Sequence, residues 1–418
     1  MPGTILITGA TSSLATRIIH LLLTNYSSSQ QDPGLVEKGH EYTLLLTSRN
    51  PSRIKLRLPK LSSNTSISIR IKELDLSNLS SVHNFATAIS TDIQSGKLPR
   101  LTSIFCNASY WDLRGEEELT DDGYERTFQV NYIAHTALVL RLLGSFSPES
   151  GGKIVLLTCD AHRHWPLKSV LGRARGLENY LPGIPVDLNE LVEVVESQHH
   201  SQSEAQSLEQ ILEELQEKPK IRKKEKVEYM HRGIQRYANS KTALVMWMYA
   251  LNQRLEADLA LNTITAVAVN PGTLLNSRAL RTNTPLRLKL LSLFLMTTVH
   301  PSLSLLCQLP FVGRKLKAKR TMRSCAEAAG GVVDVALNIK PNVDNASPGD
   351  MGKGTDENGN AEGDGDGHGG YYTLSLPTKD VGLPDMECLD EERQEGLWRR
   401  TLEWTGISNR NTAIQVEV

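Results

Sequence analysis

Short apolar runs alternate with helical patterns along most of the chain. Thr4–Ile7, Tyr42–Leu46, Ile67–Leu74, Ser103–Phe105, Lys153–Leu157 and Asn262–Val269 are brief, largely apolar and closed by small or polar residues. That signature predicts buried strands. Between them Leu14–Leu23, Ser80–Ile89, Gly123–Leu143 and Tyr237–Leu255 read as helices, with Val82, Phe85 and Ala86 on one side of the second. Strands alternating with helices imply an α/β fold, a doubly wound parallel sheet with helices on both faces. Ligands bind such sheets at the carboxyl ends of the strands. Most polar and Gly-bearing motifs fall there, including the turn Thr8-Gly9-Ala10-Thr11-Ser12-Ser13-Leu14-Ala15, then Thr47-Ser48-Arg49, Asp75-Leu76, Asn107-Ala108, Thr158-Cys159 and Asn270-Pro271-Gly272-Thr273.

Three segments interrupt this plan. Asp160–Arg236 holds Leu208, Ile211, Leu212 and Leu215 at the spacing of one amphipathic helix, and reads as an inserted helical cap. The basic run from Lys218 to Lys226 reads as a solvated face. Leu288–Val312 is apolar but broken by Lys289, His300, Pro301 and Pro310, too interrupted for a spanning helix. It is first a core helix or pocket lid. Peripheral membrane contact through 288–320 is the second reading, because basic Arg314–Arg320 follows. Asn342–Gly370, rich in Gly, Asp and Asn, is expected to be disordered. The division expected is therefore a main unit over 1–340, a low-complexity segment over 341–370, and a strand and helix over 371–418 that return to the main unit.

Composition excludes some function classes. Lys+Arg 46 against Asp+Glu 47 is balanced and does not suggest a nucleic-acid partner. The five cysteines are scattered, with no C-x-x-C pair, so neither a zinc knuckle nor a disulfide framework is supported. A reducing, cytoplasmic compartment is expected, with membrane association left open. Met1-Pro2-Gly3 leads directly into the first apolar run, without the basic start of a secretory leader. His162 and His164 read as polar loop residues rather than metal ligands. The sharpest candidate chemistry is Tyr237-Ala238-Asn239-Ser240-Lys241. Residues four apart share a helix face, so the Lys241 ammonium can lie beside the Tyr237 phenol. A phenol titrates near ~10 in isolation, and a nearby cation lowers that value. So tuned, it can donate a proton to a carbonyl oxygen or take one from an alcohol.

The order of these motifs resembles the short-chain dehydrogenase/reductase family, and within it the retinol-dehydrogenase-like branch. The resemblance covers roughly residues 1–340 and Asp390–Gly406, and implies a Rossmann-type sheet. It is carried by the glycine turn, Leu74-Asp75-Leu76, Asn107-Ala108, Asn131, Tyr237/Lys241 and Pro271-Gly272. It implies that Gly9, Thr11, Ser12, Ser13, Leu14, Ser48, Arg49, Asp75, Leu76, Asn107, Ala108, Tyr237, Lys241, Pro271 and Thr273 contact a nicotinamide dinucleotide. Ser48 and Arg49 stand where an acid would hold a ribose hydroxyl, so NADP(H) is expected. Asn131 would hold a water on the proton path.

Two departures qualify the resemblance. The T-G-x-x-x-G-x-G turn is here Thr8, Gly9, Ser13, Ala15, with Ser13 adding a Cβ where φ could be positive. The family serine falls on Cys159, a weak hydrogen-bond donor, while the hydroxyl of Thr158 faces the other way unless the strand bulges. The first expectation is an NADPH-dependent reductase of a ketone or aldehyde, or the reverse alcohol dehydrogenase, acting on a large apolar small molecule of lipid or specialised-metabolite biosynthesis. A homo-oligomer is left open. The second expectation is a non-redox cyclase, isomerase or dehydratase on the same fold. The third is a non-catalytic binding protein.

Overall fold

The computed structural model describes residues 3–27, 42–53, 67–114, 117–159, 183–193, 208–274, 277, 282–294, 297–298, 322–338, 370–374, 379–381 and 384–416. His162, His164, the basic run 314–320 and the Gly/Asp-rich 342–369 lie outside the described residues, as do much of the 160–236 insertion and much of 288–312.

The six expected strands form, with small shifts of boundary. They are β1 (Gly3–Ile7), β2 (Tyr42–Ser48), β3 (Ile67–Glu73), β4 (Leu101–Cys106), β5 (Gly152–Leu157) and β6 (Ile264–Asn270). β7 (Thr273–Leu274) and β8 (Met322–Arg323) make a small separate pairing. β9 (Tyr371–Leu374) extends the main sheet as a seventh parallel strand, and β10 (Lys379–Val381) adds to it antiparallel. The spatial order is β10-β9-β6-β5-β4-β1-β2-β3. β1, β5 and β6 are buried almost throughout because helices cover both faces. β3 lies at the edge, and its pattern of exposure keeps polar Ser68 and Arg70 in solvent.

One face carries α1 (Ser13–Ser27) and α6 (Cys325–Asn338), packed on Ile5, Ile7, Val155 and Val267. The other carries α2 (Leu79–Gln94), α3 (Ala134–Leu142), α4 (Leu208–Ala257) and α7 (Glu391–Thr405). A short helix, α5 (Leu286–Phe294), follows β6. Two helix readings change. The expected helix over Gly123–Leu143 starts at Arg126, and a π turn over Gln129–Ile133 separates its first turn from α3. The helix expected from Tyr237 begins at Leu208, so the insertion joins it without a break.

The C-terminal helix closes the α4 face. Asp390 caps its start, and Gly406, with φ 62°, ends it in the left-handed conformation that glycine adopts without strain. Trp398 stacks on the fully buried Trp247, with ring centroids 6.1 Å apart. The Arg254 guanidinium covers Trp398 from 4.1 Å and pairs with Glu395 at 2.5 Å. Tyr132 and Thr401 share a buried hydroxyl hydrogen bond of 2.6 Å, which ties α7 to the π turn. Trp398→Ala should therefore lower unfolding stability by about 3–5 kcal/mol, read by chemical denaturation.

Candidate active site

The parallel register brings the ends of β1, β2, β4, β5 and β6 to one edge of the sheet. β1 is the strand at which the chain order reverses, flanked by β2 and β4, so the ligand crevice of this topology opens there. Gly9 turns the chain with φ 64°, and a Cβ on it would come within 2.8 Å of the Ala108 Cα. The β1 turn and the β4 end are therefore in backbone contact, which only glycine permits. Asn107 cements them. Its Nδ2 donates to Thr8 O at 2.8 Å and to Ser12 Oγ at 3.1 Å. Ser12 Oγ in turn accepts from the Ala15 amide at 3.0 Å, so it caps α1. Ser13 opens the helix without positive φ, and Ala15 is fully buried. Neither residue therefore needs the left-handed backbone that would favour glycine.

This cradle suits a dinucleotide. The first turn of α1, with Ser13 and Leu14, starts beside the Gly9 turn, where helix-start amides attract phosphate. At the end of β2, Ser48 is half-buried and bonds Asn50, while Arg49 is exposed. Asp75 accepts from the Ser77 amide at 2.9 Å and shapes the turn after β3, with Leu76 buried behind it. Pro271 is buried at the end of β6. The side chain of Thr273 lies outside the described residues.

Tyr237 and Lys241 share one face of α4, with the ammonium 5.6 Å from the phenol ring centroid. Lys241 is buried and donates to Leu157 O at 2.9 Å, which fastens α4 to the end of β5. Cys159 lies two residues beyond that carbonyl and hydrogen-bonds Tyr237 side chain to side chain. The thiol thus stands where the resemblance places a serine. The neighbouring Thr158 hydroxyl is buried and has no hydrogen-bond partner among the described residues, so Cys159, not Thr158, meets the phenol. The electrostatics differ from the sequence expectation. Burial pushes the Tyr237 phenol well above its ordinary value, and the charge and hydrogen bond of Cys159 add to the rise. Lys241 does not overcome this. Burial also lowers the Lys241 ammonium, against the pull of Cys159 and Cys106.

Asn131 sits in the π turn, but its side chain is committed to protein. Oδ1 accepts from the Tyr110 amide at 2.7 Å, and Nδ2 donates to Tyr110 O and Ser240 Oγ, both at 3.0 Å. The side chain thereby clamps the loop after β4 against α4. Its carbonyl faces His135 Nδ1 at 3.2 Å, and His135 Nε2 meets Thr8 Oγ1 at 3.0 Å. A carbonyl only accepts, so Nδ1 carries the proton and the Thr8 hydroxyl donates to Nε2. Thr8 Oγ1 also accepts from the Asn107 and Ala108 amides, at 2.9 and 3.0 Å.

The sequence alone assigned no site role to His135, Ser240, Tyr110 or Trp111, and placed Thr8 only as the start of the glycine turn. His135 carried a usable signal, since it lies one helical turn beyond Asn131. Trp111 carried none. Its ring meets Tyr237 edge-on at 5.0 Å, and its indole N–H reaches Thr284, 173 residues away.

No family model matches the chain. Over 99% of its length it is 25% identical to short-chain dehydrogenase iccH of Talaromyces variabilis, covering 98% of that protein. Over 42% of its length it is 27% identical to 3-keto-steroid reductase erg27 of Schizosaccharomyces pombe, covering 49% of that protein. The fold matches the crystal structure of an uncharacterized protein from Mycobacterium paratuberculosis, with TM-score 0.50, 16% identity, and 97% and 96% of the two chains covered. These curated relatives are named as a short-chain dehydrogenase and a keto-steroid reductase, and the likeness to the first spans nearly the whole of both chains. Among the described residues, no helix is long and apolar enough to cross a membrane.

Burial pushes the pKa of His135 from 6.5 down to about 4. The unfolded chain therefore binds the proton first as pH falls, so the stabilisation is complete above about 6.5 and is lost toward 4. Thermal melts across this window should show the loss, and His135→Gln should have the shallower pH slope.

Proposed function

We propose that this protein is an NADPH-dependent reductase of a ketone or aldehyde on a large apolar molecule, working also in reverse on the alcohol. The observation that carries this is the convergence of Tyr237, Cys159 and Lys241 at the end of β5, beside the Gly9 cradle. When bound, NADPH supplies a hydride to the carbonyl carbon. Tyr237 donates the proton to the carbonyl oxygen. Its buried surroundings keep the phenol protonated, which suits the reductive direction. Lys241 supplies positive charge behind the phenol, which favours the phenolate as the proton leaves, and is the residue to hold the nicotinamide ribose. Cys159 stands next to the phenol to orient the carbonyl. A thiol donates weakly, so turnover is expected to be slow by comparison with a hydroxyl at that position.

Arg49, with Ser48 in place of an acid, supports NADPH over NADH. The name of the Schizosaccharomyces pombe relative, a 3-keto-steroid reductase, supports a carbonyl on a large apolar skeleton of lipid or specialised-metabolite biosynthesis. Exposure of Leu286, Leu290, Leu293 and Phe294 on α5 supports peripheral membrane contact at this end of the chain.

Tyr237→Phe should abolish nearly all NADPH consumption with carbonyl substrates while leaving NADPH binding, read by fluorescence titration, unchanged. Activity surviving in that variant would refute the proton-donor assignment. Turnover of a substrate without NADPH consumption would favour a non-redox reaction. The raised phenol value also predicts a pH asymmetry. Reduction should stay flat from neutral into mildly alkaline pH, where the donor form persists, while alcohol oxidation, which needs the phenolate, should climb with pH. Arg49→Asp should weaken NADPH binding by about tenfold or more and spare NADH.

A further inference from the structure

The loop after β4 carries a tryptophan that the chemistry above does not use. Trp111 is half-buried, and its indole stands almost perpendicular to the Tyr237 ring, at 83° with centroids 5.0 Å apart. Such edge-to-face pairs are favourable by about 0.5–1.5 kcal/mol beyond burial, so the contact has a preferred geometry. Two side chains hold the indole there. Asn131 grips the preceding residue, Tyr110, through both its amide N–H and its carbonyl. Thr284, in the segment after β6, accepts from the indole N–H at 3.0 Å.

The backbone adds two restraints. The Leu113 amide donates to Asn283 O at 2.9 Å, and Asn283 takes the left-handed φ of 49°. Gly233, one turn ahead of Tyr237 on α4, presses so close that a Cβ there would lie 2.2 Å from Asp112 O. Trp111 is thus pinned between the β4 loop, the segment after β6 and α4. A ring held at its backbone and at its nitrogen cannot swing aside to admit a substrate of another shape.

We propose that Trp111 is a specificity-determining residue, forming with Tyr237 a rigid aromatic corner that selects a flat, apolar ring system bearing the carbonyl, with Thr284 as the latch that holds the wall. This deepens the reductase reading and rests on it. The wall lies against the proton donor itself, so the part of the substrate next to the carbonyl meets it first. A pinned wall loses little conformational freedom on binding, so its contacts count for flat rings and are wasted on flexible chains.

The test uses the full chain with NADPH and two probes, the fused-ring ketone 1-tetralone and the acyclic ketone 2-decanone. Ketone binding is read by calorimetry and turnover by NADPH oxidation. The wild-type chain should prefer 1-tetralone. Trp111→Ala should lose about tenfold in kcat/KM and in affinity for 1-tetralone, mainly through KM, with 2-decanone within about twofold. Trp111→Phe keeps an aromatic wall without the N–H. Thr284→Val removes the latch acceptor at similar bulk. Both should show a smaller loss of the same sign, with unchanged NADPH affinity. Equal loss on both ketones, or a wild-type chain that binds the two equally or binds neither, would overturn the assignment. Selective 1-tetralone binding that depends on Trp111 but comes without NADPH oxidation would sink the reductase reading and leave the wall standing.

Discussion

The hydroxyl of Thr8 is the junction on which the working edge of the sheet depends. It lies at the end of β1, fully buried, and accepts from the amides of Asn107 and Ala108 just beyond β4. Its own proton points to His135, whose other nitrogen donates to the carbonyl of Asn131. One short chain of bonds thus joins the dinucleotide-type turn, the β4 loop and the π turn. Each group is shielded from water, so breaking one link strands a polar atom at a cost of about 1–3 kcal/mol. The glycine turn and the Asn131 clamp are two ends of one assembly.

The π turn makes this possible. An extra residue in the helical turn lets Asn131 direct its side chain to Tyr110 and Ser240 while its carbonyl faces His135. The phenol sits on the far side of this assembly, between a thiol and an aromatic wall. Burial and the sulfur both oppose ionisation of Tyr237, and the Lys241 ammonium is spent partly on the Leu157 carbonyl. The site holds its proton firmly, a property set by neighbours that the Tyr-x-x-x-Lys spacing does not reveal.

Much of the fold was legible beforehand. Buried parallel strands write themselves as short apolar runs, and all six expected runs became strands within a few residues. Helix ends were less legible. The periodicity at Leu208–Leu215 and the helix of Tyr237 read as two separate elements, whereas the backbone runs through both as one helix from Leu208 to Ala257. The β9 strand was legible only as part of a returning C-terminal segment. Its four residues make a strand by pairing with β6, a contact made after a long excursion in sequence. In the site, Gly9, Asn107 and the Tyr237/Lys241 pair were readable because each follows a strand end or a helix spacing. The side-chain commitments of Asn131 were not, since they depend on where the β4 loop folds back.

The sequence by itself determined the sheet, the cradle at the end of β1 and the pairing of Tyr237 with Lys241. Those features follow from local rules, namely strand burial, the backbone freedom of glycine and the pitch of a helix. Tertiary structure alone decided that Cys159 rather than Thr158 meets the phenol, that His135 bridges Asn131 to Thr8, and that Trp111 is latched by Thr284. Apart from the one-turn link between Asn131 and His135, these contacts join residues tens to more than a hundred positions apart. They exist because the parallel register delivers every strand end to one edge, where side chains with no local relation pack against one another.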